Sequence, residues 1–135
     1  MSEAVSFRLA ERPVHLGQGA IAVPQEPFTG DAAWYERYAA RTSGDGIEGR
    51  LVSMFTFSEP WDSWEVHPNG EELVVCVDGA LTLYQEIEGE VRKLNLRAGE
   101  AVVNPAGVWH TADISGSATA LFITAGTGTE NRPRT

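Results

Sequence analysis

The sequence predicts an all-β domain, an antiparallel sandwich or barrel carrying one short helix near its N-terminus. From Arg50 onward, eight short apolar runs recur at roughly ten-residue spacing, each bounded by Gly, Pro, Asn or Asp, as strands joined by turns require. Only one stretch, Thr29 to Arg41, has the composition of a helix. The 135 residues hold no repeat, low-complexity tract or long linker, so one core is expected. A chain of this length buries roughly two-thirds of the surface it exposes when unfolded.

Taken in order, residues 1–49 form an N-terminal arm belonging to the same domain. Its β-prone pieces VSFRL, PVHL and AIAVP are interrupted by Pro13, Gly17, Gly19 and Pro24 and read as edge strands. The run TGDAAWYERYAAR opens with capping residues, is rich in alanine and spaces Trp34 and Tyr38 at i,i+4, which predicts a helix. Residues 50–125 supply the strands RLVSMFTF, SWEVH, EELVVCV, ALTLYQEI, EVRKLNL, EAVVNP, VWHTADI and ATALFITA. The polar residues 126–135, GTGTENRPRT, are expected to form a mobile or loosely draped tail.

Composition narrows the function. Ten basic against nineteen acidic residues give a net charge of −9, which repels a nucleic acid backbone and an anionic membrane alike. The lone Cys76 has no internal disulfide partner and reads as a small buried hydrophobe in a reducing compartment. The opening MSEAVSFRLA lacks a basic stretch followed by an apolar run, and no segment approaches the ~20 apolar residues that cross a bilayer, so a soluble, cytoplasmic protein is expected. GTGTE follows the last apolar strand instead of joining a strand to a helix, so it gives no support for a nucleotide site.

Chemistry concentrates in two segments. In WDSWEVHPNGEELVVCVDG, Glu65 and His67 stand two apart in a strand and leave the same face. The turn at Pro68, Asn69 and Gly70 predicts a hairpin that brings Glu72 beside His67, with Gly79 closing the second strand in a tight turn. In GEAVVNPAGVWH, Gly99 precedes a strand, Pro105 and Gly107 mark a turn, and His110 begins the next strand, so a second hairpin delivers that histidine to the same place. Alternation sends Val74 and Cys76 inward with Glu72, sets Phe55 and Phe57 on one face, and puts Trp64 and Trp109 opposite Glu65 and His110, where core or dimer packing is their role. His15 lies outside both segments and reads as structural.

The two segments resemble the paired motifs of the cupin superfamily. His67, Glu72 and Gly79 fall at the spacing of the first motif, and Gly99, Pro105, Gly107 and His110 at that of the second. Three departures stand out: the first motif's leading glycine is absent, Glu65 occupies the place of its leading histidine, and Ile114 that of the second motif's asparagine. The resemblance implies a double-stranded β-helix, the jelly-roll barrel, commonly a homodimer. It also implies a divalent metal, here held by Glu65, His67, Glu72 and His110. Replacing an imidazole by a carboxylate shifts preference toward manganese or ferrous iron, with zinc less favoured. Without metal, two close carboxylates would raise the pKa of one of them.

Three readings of function remain open from these residues. The first is metal-dependent chemistry of oxygenase, isomerase or lyase type on a small organic molecule, with Glu65 either completing the ligand set or acting with Glu72 as the catalytic carboxylates. The second is a metal-free isomerase pairing a protonated with an ionised carboxylate. The third is a non-catalytic small-molecule binding or sensing module. In all three the partner is a small molecule, and Glu65 keeps an alternative as a solvent-facing or salt-bridged side chain.

Overall fold

Two strands of unusual length organise the protein. In the computed structural model, which describes residues 5–135, β1 (Val14–Gly17) and β2 (Ile21–Pro24) precede helix α1 (Ala32–Thr42) and a 3-10 turn (Ser43–Glu48). There follow β3 (Arg50–Phe57), β4 (Ser63–Val66), β5 (Glu72–Ile87), β6 (Glu90–Arg97), β7 (Ala101–Asn104), β8 (Trp109–Thr124) and β9 (Glu130–Pro133). Strands β5 and β8 run antiparallel to each other from Glu72↔Thr124 to Glu86↔Trp109. The early half of β5 lies between β7 and the late half of β8, which continues to β3, β1 and β2. The late half of β5 lies between β6 and the early half of β8, which continues to β4 and β9.

Among the described residues, one hydrogen-bonded network of nine strands therefore forms two layers that share β5 and β8. The fold turns at residues 76–81 of β5, where the pairing with β8 shifts twice. Before the shift the even-numbered Glu72, Val74 and Cys76 are buried, and after it the odd-numbered Leu81, Leu83 and Gln85. An extra residue reverses which face a strand presents, so both halves turn their buried residues to the same interior. Small side chains of β8, Ala112, Ala118 and Ala120, pack there against Leu83, Leu96 and Phe122. Burying each leucine or phenylalanine stabilises the fold by about 1.5–3 kcal/mol.

The helix begins three residues later than the sequence predicts, because Asp31 is its N-cap and accepts from the Trp34 amide at 3.0 Å. Trp34 is fully buried, stacks on Tyr38 one turn along, and meets Phe28 edge-on. Phe28 in turn packs on Phe55, so the helix is anchored to the barrel through aromatic contacts. His15 lies between the Tyr38 hydroxyl and Asp45, each at 2.6 Å, and ties the helix and the 3-10 turn to β1.

Several sequence expectations are corrected. VSFRL forms no strand, and the first four residues of the arm lie outside those described. EELVVCV with ALTLYQEI, and VWHTADI with ATALFITA, are not separate strands but the two halves of β5 and β8, because a bulge bends a strand without ending it. Gly79 accordingly sits within β5 and closes nothing. The tail is not loose: residues 130–133 form β9 against β4, and Arg132 covers the rings of Trp64 and Trp109 at 5.3 and 4.5 Å from their centroids. These two tryptophans do face away from Glu65 and His110, but a cation covers them, so they are not core residues.

Gly79 has φ +74°, and a Cβ there would lie 2.2 Å from the Ser117 carbonyl oxygen of the neighbouring strand. Gly79→Ala therefore imposes both a left-handed backbone and a backbone clash. It is expected to destabilise the protein by about 2–3 kcal/mol, read as a lower urea midpoint. An unchanged midpoint would show that the bend tolerates a side chain.

Candidate metal centre

Each of the four predicted site residues is delivered by a different local device. Strand β4 carries Glu65 and points it inward, with His67 immediately past the strand's end on the same face. His110, early in β8, lies between Glu65 of β4 and Gln85 of β5 in register. Glu72 opens β5, flanked by Asn104 of β7 and Thr124 of β8. The predicted hairpins are absent, since β4 pairs with β8 and β9, and β7 with β5. The turn at residues 68–70 still joins His67 to Glu72, but it carries the chain from β4 to β5 without pairing the two strands.

The four side chains converge. His67 Nε2 is 3.1 Å from Glu65 Oε1 and 3.2 Å from Glu72 Oε2, and His110 Nε2 is 3.2 Å from Glu72 Oε1. One donor atom from each of the four lies within 4.8 Å of all the others. Both Nε2 atoms are buried and make no hydrogen bond to the carboxylate oxygens that lie 3.1–3.2 Å away. Ligands about 2.0–2.2 Å from a common ion stand roughly 3 Å apart when adjacent, so two orphaned imidazole nitrogens and two carboxylates fit a divalent ion.

Glu72 is held firmly. Asn104 Nδ2 donates to its Oε1 at 3.0 Å and the Thr124 hydroxyl to its Oε2 at 2.6 Å. Gln85 donates in turn to Asn104 Oδ1 at 2.8 Å, extending the chain of hydrogen bonds to the next strand. Behind the histidines, His110 Nδ1 is 3.2 Å from the Val108 carbonyl, and His67 Nδ1 is 2.7 Å from the Thr129 hydroxyl. The sequence reading missed Gln85, Asn104, Thr124 and Thr129. The signal for the first three was polar residues in phase with buried ones, which for Gln85 is legible only once the parity reversal in β5 is known.

Burial pushes the Glu72 carboxyl up, but His110 and His67 outweigh it and hold the group well below the usual carboxylate range. Burial likewise disfavours the His67 imidazolium, yet Glu65 and Glu72 overcome it and raise its pKa to about 9. The expectation of a raised carboxylate pKa is thus reversed at Glu72. The raised His67 pKa favours its imidazolium, which offsets part of the clustered negative charge. Solvent reaches the cluster at Glu65, whose side chain is 32 % exposed, against 4 % or less for the other three.

Residues 56–126, just over half the chain, match the sequence family described as Cupin domain. The chain is a cupin. Similar solved structures include an oxalate oxidase in complex with the substrate analogue glycolate, at 20 % identity and TM-score 0.56, the match covering 68 % of this cupin and 50 % of that chain. A cupin-2 domain containing protein from Shewanella frigidimarina is 20 % identical over 56 % of this chain and 69 % of its own, at TM-score 0.49. Hydroquinone 1,2-dioxygenase from Sphingomonas sp. TTNP3, with 4-hydroxybenzoate bound, is 14 % identical over 56 % and 59 %, at TM-score 0.47. The oxalate oxidase establishes the likeness of fold, and the jelly-roll barrel expected from the two motifs is what the cupin adopts. No curated protein sequence matches the chain.

Metal binding must displace the His67 proton. In the metal-free cupin that proton contributes stability that is complete below the ordinary histidine value of 6.5 and lost as pH rises through about 9. Any affinity of this cluster for a divalent ion is therefore expected to rise up to about tenfold per pH unit across that window, levelling off above it. Competition against a chelating dye at several pH values measures it, and a flat profile would contradict the assignment.

Proposed function

We propose that Glu65, His67, Glu72 and His110 hold one divalent ion, manganese or ferrous iron in preference to zinc, and that this cupin acts on a small organic molecule by oxygenase, isomerase or lyase chemistry. The observation that carries the reading is the pair of buried, unpartnered Nε2 atoms converging with two carboxylates. Two oxygen and two nitrogen donors favour the harder ions of the set. When bound, such an ion polarises a substrate oxygen or activates water or dioxygen.

The chain's own residues define how a substrate approaches. Of the four ligands, only Glu65 is appreciably open, so the incoming molecule meets that carboxylate, which is placed to take or return a proton. Tyr35 of α1 stands near enough that the Glu65 charge, after burial, raises its phenol pKa. The half-buried Phe28, Phe55, Phe57 and Trp61 form a continuous aromatic series from the helix to His110. A ligand with an apolar body and an oxygen function suits an apolar wall ending in a few polar groups. The oxalate oxidase of similar fold is in complex with glycolate, a substrate analogue.

The metal-free isomerase reading is less well served, because it needs a protonated carboxyl. Glu72 is held ionised by Asn104, Thr124 and two histidines.

Elemental analysis of untagged protein purified without chelator tests the proposal. Near-stoichiometric manganese, iron or zinc is expected, and its loss in both His67→Ala and His110→Ala. Folded protein that takes up none of these ions on reloading would sink the metal reading and leave a binding module. Asn104→Ala removes a donor to Glu72 without removing a ligand, and is expected to weaken metal affinity about 10–100-fold in a titration.

A further inference from the structure

The segment read as a loose tail returns to the barrel at the metal centre. Asn69 Nδ2 donates to the Thr127 carbonyl at 2.8 Å, and β9 pairs with β4 from Val66↔Glu130 to Ser63↔Pro133. Between these attachments Gly128 takes φ +80°, where a Cβ would come within 3.0 Å of Asn69 and 3.3 Å of Pro68. The turn is thereby pressed against the loop that follows His67. It presents the Thr129 hydroxyl 2.7 Å from His67 Nδ1 and 2.8 Å from the Gly126 carbonyl.

Proton accounting assigns these two bonds. A hydroxyl has one proton, and a carbonyl oxygen only accepts, so Thr129 donates to Gly126 and its oxygen accepts from His67 Nδ1–H. In the neutral ring, Nε2 then bears the lone pair, directed at Glu65 and Glu72. His110 obtains the same orientation from the Val108 carbonyl two residues away on its own chain segment. His67 depends instead on a side chain 62 residues distant.

We propose that Thr129 is a positioning residue of the metal centre, fixing the orientation and tautomer of His67 so that Nε2 is the ligating atom. The inference rests on the metal reading above. Partners behind a ligating histidine are typically worth 10–100-fold in metal affinity.

Cobalt(II) titration, followed by visible absorption, tests this on the full chain. Thr129→Val keeps the shape and removes the hydroxyl. It is expected to weaken cobalt binding 10–100-fold and alter the absorption band, while Thr129→Ser retains both. Arg132→Ala serves as a control, since it loosens the same segment at Trp64 and Trp109 without touching the hydroxyl, and is expected to lower the melting temperature but leave cobalt affinity unchanged. Equal cobalt binding by the parent and Thr129→Val would overturn the inference alone, as would equal losses in Thr129→Val and Arg132→Ala. No cobalt binding by the parent would overturn the metal reading and this inference with it. If Thr129→Val fails to fold, long-range nitrogen NMR of the zinc-loaded parent decides: a protonated Nδ1 on His67 is expected, and an Nδ1-bound ring would overturn the assignment.

Discussion

A carboxylate buried almost completely inside a β-barrel is the constraint on which the rest of this structure depends. Removing an ionised carboxyl from water costs several kcal/mol unless charge and hydrogen bonds replace its hydration. Glu72 receives that replacement from Asn104 of β7, Thr124 of β8, His67 after β4 and His110 of β8. Each donor reaches it only if its strand is in one register. A one-residue slip of β8 would turn both Thr124 and His110 away, and a slip of β7 would remove Asn104. The polar centre and the apolar interior therefore specify the same alignment, and His67, its pKa raised by the two carboxylates, offsets part of what would otherwise be a cluster of like charges.

The four central residues were legible from the sequence because their spacing survives any error about which strands pair. Glu65, His67, Glu72 and His110 sit where two short motifs put them, and the structure brings all four together. The topology was less legible. Local spacing indicates where chain direction changes but not which distant strand lies alongside, so two bent strands read as four straight ones. The reversal of parity near Gly79 concealed Gln85 among the outward positions. The polar 126–135 segment was misread for another reason. Its attachment relies on backbone pairing of β9 with β4, on Arg132 over two indoles and against Glu86, and on Arg134 against Asp113, and these leave no apolar periodicity to detect.

The ligands differ in how much freedom the fold leaves them. Glu72 and His110 are fixed by strands in the middle of the sheet, and their neighbours are set by backbone pairing. Glu65 stands at the open side, beneath a helix whose own placement rests on Trp34, Phe28 and the His15 bridge to Asp45. Variation in that helix reshapes the approach to Glu65 without disturbing the buried ligands. The most deeply buried members of the candidate site thus lie on central strands, and its one open member faces a helix added outside the barrel.

The position of Thr129 along the chain has a consequence for maturation. During synthesis Glu65, His67, Glu72 and His110 are all made before residue 129, so every ligand exists before the hydroxyl that orients His67. An ion captured by the growing chain would meet an imidazole free to present either nitrogen. If the cluster holds an ion as proposed, selective loading would follow the docking of β9 on β4, so that a strand made after all four side chains would complete their arrangement.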